Sequence, residues 1–207
     1  MEILIFAETD DKGNLKKDAY EIASYASEIS SENGGNVNAL CFNASNAESL
    51  SNYGVDKIIN SKNEELKNFD PSNYSKCITE VFNNEECNLL VLSSSSNSKH
   101  IGGILSVLTD SSYVTNVISK LTNGDKMTVV RNTFTNKALE TVEIIKNKII
   151  LAISKNSFGL KEKPVKSEVV EINFNMPESK NKVKSIDRAT NKVTIADADI
   201  VVSGGRG

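Results

Sequence analysis

The sequence contains one histidine (His100), no tryptophan, three prolines, three cysteines and three arginines, Arg131, Arg188 and Arg206. Each scarcity removes a class of chemistry. A Ser-His-Asp or Cys-His arrangement would have to use His100, which follows Lys99 at the start of an expected helix with no evident nucleophile beside it. His100 as a base or anion donor stands against a solvated residue near a helix end, and the geometric demands of a triad favour the latter. One histidine with Cys41, Cys77 and Cys87 scattered along the chain gives no ligand pair for structural zinc. The odd cysteine count and the lack of a CxxC pair fit small buried thiols in a reducing compartment. No apolar run approaches the roughly 20 residues of a spanning helix. The chain enters directly into Glu2-Ile3-Leu4-Ile5-Phe6, without a basic flank or a cleavable signal pattern, so a cytoplasmic location is expected. With 24 Lys and Arg against 27 Asp and Glu, the net charge of −3 excludes the basic excess of a nucleic-acid footprint. Neither GxxxxGK[ST] nor GxGxxG follows the first expected strand.

What remains is a chain of 207 residues, 39% hydrophobic and 25% charged, enough for one buried core. At about 150 residues per domain this allows one domain, or one domain and part of another. The 25 Asn, 25 Ser and 21 Lys point to AT-rich codon usage, which makes each surviving Arg more informative as a planar bidentate donor.

Strand and helix patterns alternate over about the first ninety residues. Ile3 to Ala7 is a continuous apolar run suited to a strand buried on both faces. Apolar residues at 15, 19, 22, 23, 26 and 29 follow helical spacing, stopped by Asn33-Gly34-Gly35. Val37 to Phe42 reads as a strand, Ala47 to Tyr53 as a short helix ended by Gly54, and Lys57 to Ile59 as a third strand. Asp70-Pro71 starts a helix, with Asp as N-cap and Pro at the first helical position. Leu89 to Leu92 is the next buried strand, followed by Ser93-Ser94-Ser95-Ser96-Asn97-Ser98 and a helix with Ile101, Ile104, Leu105 and Leu108 on one side. Such a βαβ series builds a parallel sheet with helices on both faces. From Tyr113 the pattern changes. Residues 113–118, Met127 to Phe134, Ala138 to Ile145 and Lys148 to Ser154 read as consecutive strands joined by turns, an antiparallel section added to the parallel core. Val169 to Phe174 alternates as a further strand. Residues 176–199 are a polar connecting arm, and Ile200-Val201-Val202 begins a new strand.

Two segments suggest ligand chemistry. Ser93 to Ser98 sits at the C-terminal end of a buried strand and before a helix N-terminus, where anions bind in open α/β sheets. It reads as a phosphate site or, since it has no glycine to let the backbone embrace phosphate, as an ordinary loop whose serines cap the helix. Ser203-Gly204-Gly205-Arg206-Gly207 reads as a pyrophosphate-holding turn or as a flexible tail, and the pattern leaves both open.

The order of segments resembles the N-terminal domain of the electron transfer flavoprotein α subunit. Ile3-Leu4-Ile5-Phe6-Ala7-Glu8 is similar to the family's first strand with its acidic follower, and Asn52-Tyr53-Gly54-Val55-Asp56-Lys57-Ile58 to its GA-x-KV step. Leu92 to Leu108 resembles its strand, polar loop and helix. Arg131-Asn132-Thr133-Phe134 with Lys137-Ala138 resembles its R-x-x-Y/F-x-G-x-A hairpin, and Asn156-Ser157-Phe158 its Ser-Phe turn. Val201 to Gly207 reads VVSGGRG, the most specific string. Ser98, Gly102-Gly103, Asn136 and Lys155 depart from the family's usual Gly, Ala-Pro, Gly and Arg.

The resemblance implies a three-layer α/β domain with a mainly parallel central sheet and an antiparallel hairpin section, of the adenine-nucleotide α-hydrolase-like (HUP) type. It implies residues 1–175 as that domain, 176–199 as the arm, and 200–207 as the first strand and turn of an FAD-binding domain whose remainder is absent. It also implies FAD as cofactor, with Arg206 near its pyrophosphate and Gly204, Gly205 and Gly207 shaping the turn, and weak or no FAD binding by these 207 residues. The β subunit is the implied partner. Electrons would come from acyl-CoA and related dehydrogenases, as in fatty-acid β-oxidation, and leave to a quinone oxidoreductase, with no substrate converted by the chain itself. The alternative is a stand-alone adenine-nucleotide-binding or stress-type module using the Ser93–His100 loop, in which Ser95 and Lys99 would hold the nucleotide.

Overall fold

The computed structural model describes residues 1–175, 198 and 200–205. Ten strands form one sheet: β1 (Ile3–Phe6), β2 (Val37–Phe42), β3 (Lys57–Ser61), β4 (Leu89–Ser93), β5 (Ser112–Val117), β6 (Thr122–Asn123), β7 (Met127–Thr133), β8 (Ala138–Ile144), β9 (Ile149–Ile153) and β10 (Glu168–Glu171). Their order is β10-β3-β2-β1-β4-β9-β5-β7-β6, with β8 paired to β7. From β10 to β5 every neighbouring pair is parallel, and β7 pairs antiparallel with β5, β6 and β8.

Helix α1 (Lys17–Asn33) joins β1 to β2, α2 (Pro71–Asn84) joins β3 to β4, and α3 (Ser96–Leu108) joins β4 to β5. The expected helix at Ala47–Asn52 is a 3-10 helix. Asp70 caps α2 as its sequence dictates, its Oδ1 accepting from the Asn73 N–H at 2.9 Å. Leu15 lies outside α1. Its N–H donates to Asn46 Oδ1 at 2.9 Å and it bridges Thr9, which holds it extended before the helix begins.

The pleat divides the core into two layers. Ile3, Ile5, Ala39, Val91, Ile149 and Leu151 face α1, while Leu4, Phe6, Leu40, Leu92 and Ile150 face α2 and α3. Every residue of β1, β2, β4 and β9 is buried, which is why β1, β9 and residues 89–92 of β4 read as continuous apolar runs, while β2 buries one polar residue, Asn38. Each fully buried Ile or Leu contributes about 1.5–3 kcal/mol of transfer free energy.

One expectation fails here. The strand at Lys148 to Ser154 is not part of an antiparallel series. As β9 it runs between β4 and β5, parallel to both, at the centre of the sheet. Ile149-Ile150-Leu151-Ala152-Ile153 can be buried on both faces, whereas β8 is exposed along most of its length and belongs at an edge. The antiparallel section is therefore β7 with β6 and β8. The strand expected at Val169–Phe174 is the parallel edge strand β10, ending at Glu171. The strand expected at Ile200-Val201-Val202 has no pairing among the described residues, and these side chains are exposed. Residues 176–197 and 199 of the expected arm, with Arg206 and Gly207, lie outside the described residues.

Candidate functional site

From β1 the chain steps outward through β2 and β3, then returns to place β4 on the other side of β1. The switch point between β1 and β4 is where open α/β sheets bind ligands, beyond the strand C-termini. The loop after β1 brings Glu8 to this crevice, and the loop after β4 brings Ser95 and Ser98. Ser95 caps α3, its Oγ accepting from the Ser98 N–H at 3.0 Å. One oxygen of the buried Glu8 carboxylate accepts from both serine hydroxyls, Ser98 at 2.9 Å and Ser95 in a short contact. Its other oxygen pairs with Lys16 Nζ at 2.9 Å.

The chain's own carboxylate thus stands where an anion would sit at the start of α3, favoured there by the helix dipole and by two donors. Aromatic rings close the adjoining wall. Phe42 and Tyr74 lie 4.8 Å apart between ring centres, Phe6 and Phe42 5.2 Å, and the Tyr74 hydroxyl donates to the Leu66 carbonyl at 2.8 Å. The space left between Phe6, Glu8, Thr9, Phe42, Tyr74 and Asn97 is about 20 Å³, the scale of a single water. Of the serine run, Ser95 caps the helix, the ordinary reading of that loop, and the Ser95 and Ser98 hydroxyls both donate to Glu8.

His100 also takes its ordinary reading. It is exposed, and its Nδ1 donates to the Ser96 carbonyl at 2.7 Å. Burial pushes the thiols of Cys41, Cys77 and Cys87 up to about 12, so they are unreactive small core residues. Among the described residues no group of three or more His, Cys, Asp or Glu could hold a metal, and no helix is long and apolar enough to cross a membrane.

The Ser-Phe turn is built by a residue the sequence reading passed over. Glu21 of α1 is buried, and its carboxylate accepts from the backbone N–H groups of Asn156 (2.9 Å), Phe158 (2.8 Å) and Gly159 (3.1 Å). Phe158 then packs edge-on against Tyr25 with ring centres 5.1 Å apart. A charged residue among the apolar positions of an amphipathic helix was the available signal, but not its distant partner.

Gly204 and Gly205 are exposed, and a Cβ at either would meet nothing within 4 Å. Arg206 and Gly207, the other members of the expected cofactor-binding set, lie outside the described residues.

The fold is a doubly wound, mainly parallel α/β domain with an added antiparallel hairpin section, and its switch-point crevice is filled by its own glutamate. The family model of the electron transfer flavoprotein domain matches residues 3–177, and the chain belongs to that family. A search of curated proteins gives no match.

Proposed function

We propose that the chain is the N-terminal part of an electron transfer flavoprotein α subunit, whose domain at residues 1–175 scaffolds a heterodimer with a β subunit. The observation that carries this reading is the family match over residues 3–177, followed in sequence by VVSGGRG. In this account FAD is the electron carrier. It is held mainly by a domain entered at residues 200–207, where Arg206 would give its pyrophosphate a bidentate donor and Gly204, Gly205 and Gly207 would let the backbone approach. The flavin carries the redox chemistry while the protein supplies position and electrostatics. Electrons pass from acyl-CoA or related dehydrogenases to a quinone oxidoreductase, and the chain converts no substrate of its own.

The filled crevice supports a scaffold over a stand-alone nucleotide module, because Glu8 already uses the donors a nucleotide phosphate would need. Calorimetric titration of the 207-residue chain with FAD and with AMP tests this. The expected result is no submicromolar binding of FAD and no micromolar binding of AMP. Submicromolar FAD binding would overturn the division of labour between the two domains. Micromolar AMP binding abolished by Ser95→Ala would establish the nucleotide module instead.

A further inference from the structure

A second cleft opens on the other side of the β4 loop, and its chemistry differs from that of the filled crevice. It encloses about 230 Å³ and is lined by Ser94, Lys99, Tyr113, Thr115, Asn116 and Ala152. It lies where β4, β9 and β5 end, beside the first turns of α3. No carboxylate is among the lining residues. Lys99 forms no ion pair among the described residues. Thr115 Oγ1 accepts from Arg131 Nη1 at 3.3 Å, so a guanidinium stands behind one wall.

Three features show that the wall is specifically shaped. First, β5 is irregular: its register to β9 shifts between Val114 and Val117, and Asn116 within that shift has φ +56°. Bulges of this kind re-aim side chains and cluster beside binding sites. Second, the Tyr113 ring lies against α3 at Gly102, where a Cβ would stand 2.2 Å from its Cζ and 2.3 Å from its hydroxyl oxygen. The glycine that departs from the family's usual residue is thus the one this tyrosine requires. Third, the Tyr113 hydroxyl is buried without a hydrogen-bond partner.

We propose that this cleft binds a small oxyanion, with the charge of a phosphate group, with the Lys99 ammonium as counter-ion and the Asn116 carboxamide as donor, on a wall held in place by the packing of Tyr113 on Gly102. At about 230 Å³ the cleft has room for a phosphate group together with several waters. Lys99 is exposed, so the attraction is screened and the affinity is millimolar. The site does not depend on the electron-transfer reading: it would exist on this domain whatever its partner.

The test is a titration of the ¹⁵N-labelled chain followed by amide shifts, with inorganic phosphate, acetate and chloride at matched ionic strength. The expected result is saturating shifts at Ser94, Lys99 and Asn116 with phosphate, weaker ones with acetate and none with chloride. Stronger saturation by acetate than by phosphate would reassign the occupant to a carboxylate and overturn the phosphate preference. Lys99→Gln, an exposed substitution that leaves the fold's spectrum intact, should weaken phosphate binding about tenfold. Tyr113→Phe, which keeps the ring on Gly102, should leave phosphate binding within about twofold of the wild type while the stability of the free chain holds or rises, because the orphan hydroxyl is gone. Shifts that are linear and equal for chloride and phosphate, or binding unchanged in Lys99→Gln, would overturn the site.

Discussion

Glu8 illustrates how one side chain decides what a fold can do. Its carboxylate is buried and takes donors from Lys16, Ser95 and Ser98. Truncation leaves two buried hydroxyls without their acceptor, whereas Lys16, about one-third exposed, regains water. Glu8→Ala is therefore expected to lower unfolding free energy by about 2–4 kcal/mol, and Glu8→Gln by less, because the carboxamide oxygen still accepts. Urea denaturation measures both, and a loss below about 1 kcal/mol for Glu8→Ala would mean that the carboxylate does not organise this corner. Glu28 shows the opposite, exposed regime. Partial burial alone would raise its carboxyl, but hydrogen bonds from Lys161 and Lys120 outweigh that and hold it below the ordinary range. A carboxyl lowered on folding contributes stability at pH values above its unfolded pKa and loses it as pH falls through the folded value. The urea midpoints of wild type and Glu28→Gln should therefore differ most near neutrality and converge at low pH. A gap that persists or widens in acid would contradict this pairing. Of these residues only Glu8 drew notice in the sequence, as the acid following the first strand, because its partners lie 87 and 90 positions away in the chain.

At the scale of elements, α3 carries two adjacent glycines with opposite roles. Gly103 faces open space, so Gly103→Ala should stabilise by about 0.5–1 kcal/mol through helix propensity. Gly102 backs onto the Tyr113 ring, so Gly102→Ala overpacks and should destabilise by about 1–3 kcal/mol despite the same propensity gain. Thermal unfolding of the two variants should move in opposite directions, and a common direction would refute the packing assignment. The same contrast explains which elements were legible. Helices α1 to α3 announce themselves through period and caps, and strands β1 and β4 through continuous apolar runs. Strand β9 carries an equally continuous run, Ile149 to Ile153, yet its place was missed because Lys146-Asn147 before it resembles a hairpin turn. Local turn chemistry reports a change of direction, whereas the strand's destination is set by burial on both faces, a tertiary fact.

For the whole molecule, the sequence revealed the doubly wound plan and the family, while the site's state is a property of the assembled fold. The serine run pointed to the right end of the sheet, but not to Glu8 filling that position from across the switch point. The cleft at Tyr113 was invisible for the same reason, since its lining comes from three strands' ends and one helix. The turn at Ser203 to Gly207 has sequence specificity, and a Cβ at Gly204 or Gly205 would meet nothing within 4 Å among the described residues. In the proposed function its partners come from a further domain. The central claim is that the domain at residues 1–175 is the α-subunit half of a two-subunit carrier. Its most direct test is co-expression of the chain with an electron transfer flavoprotein β subunit, followed by size-exclusion chromatography with light scattering. The account predicts a single species at the summed mass of one copy of each subunit. Separate elution of both subunits, each folded, would contradict it.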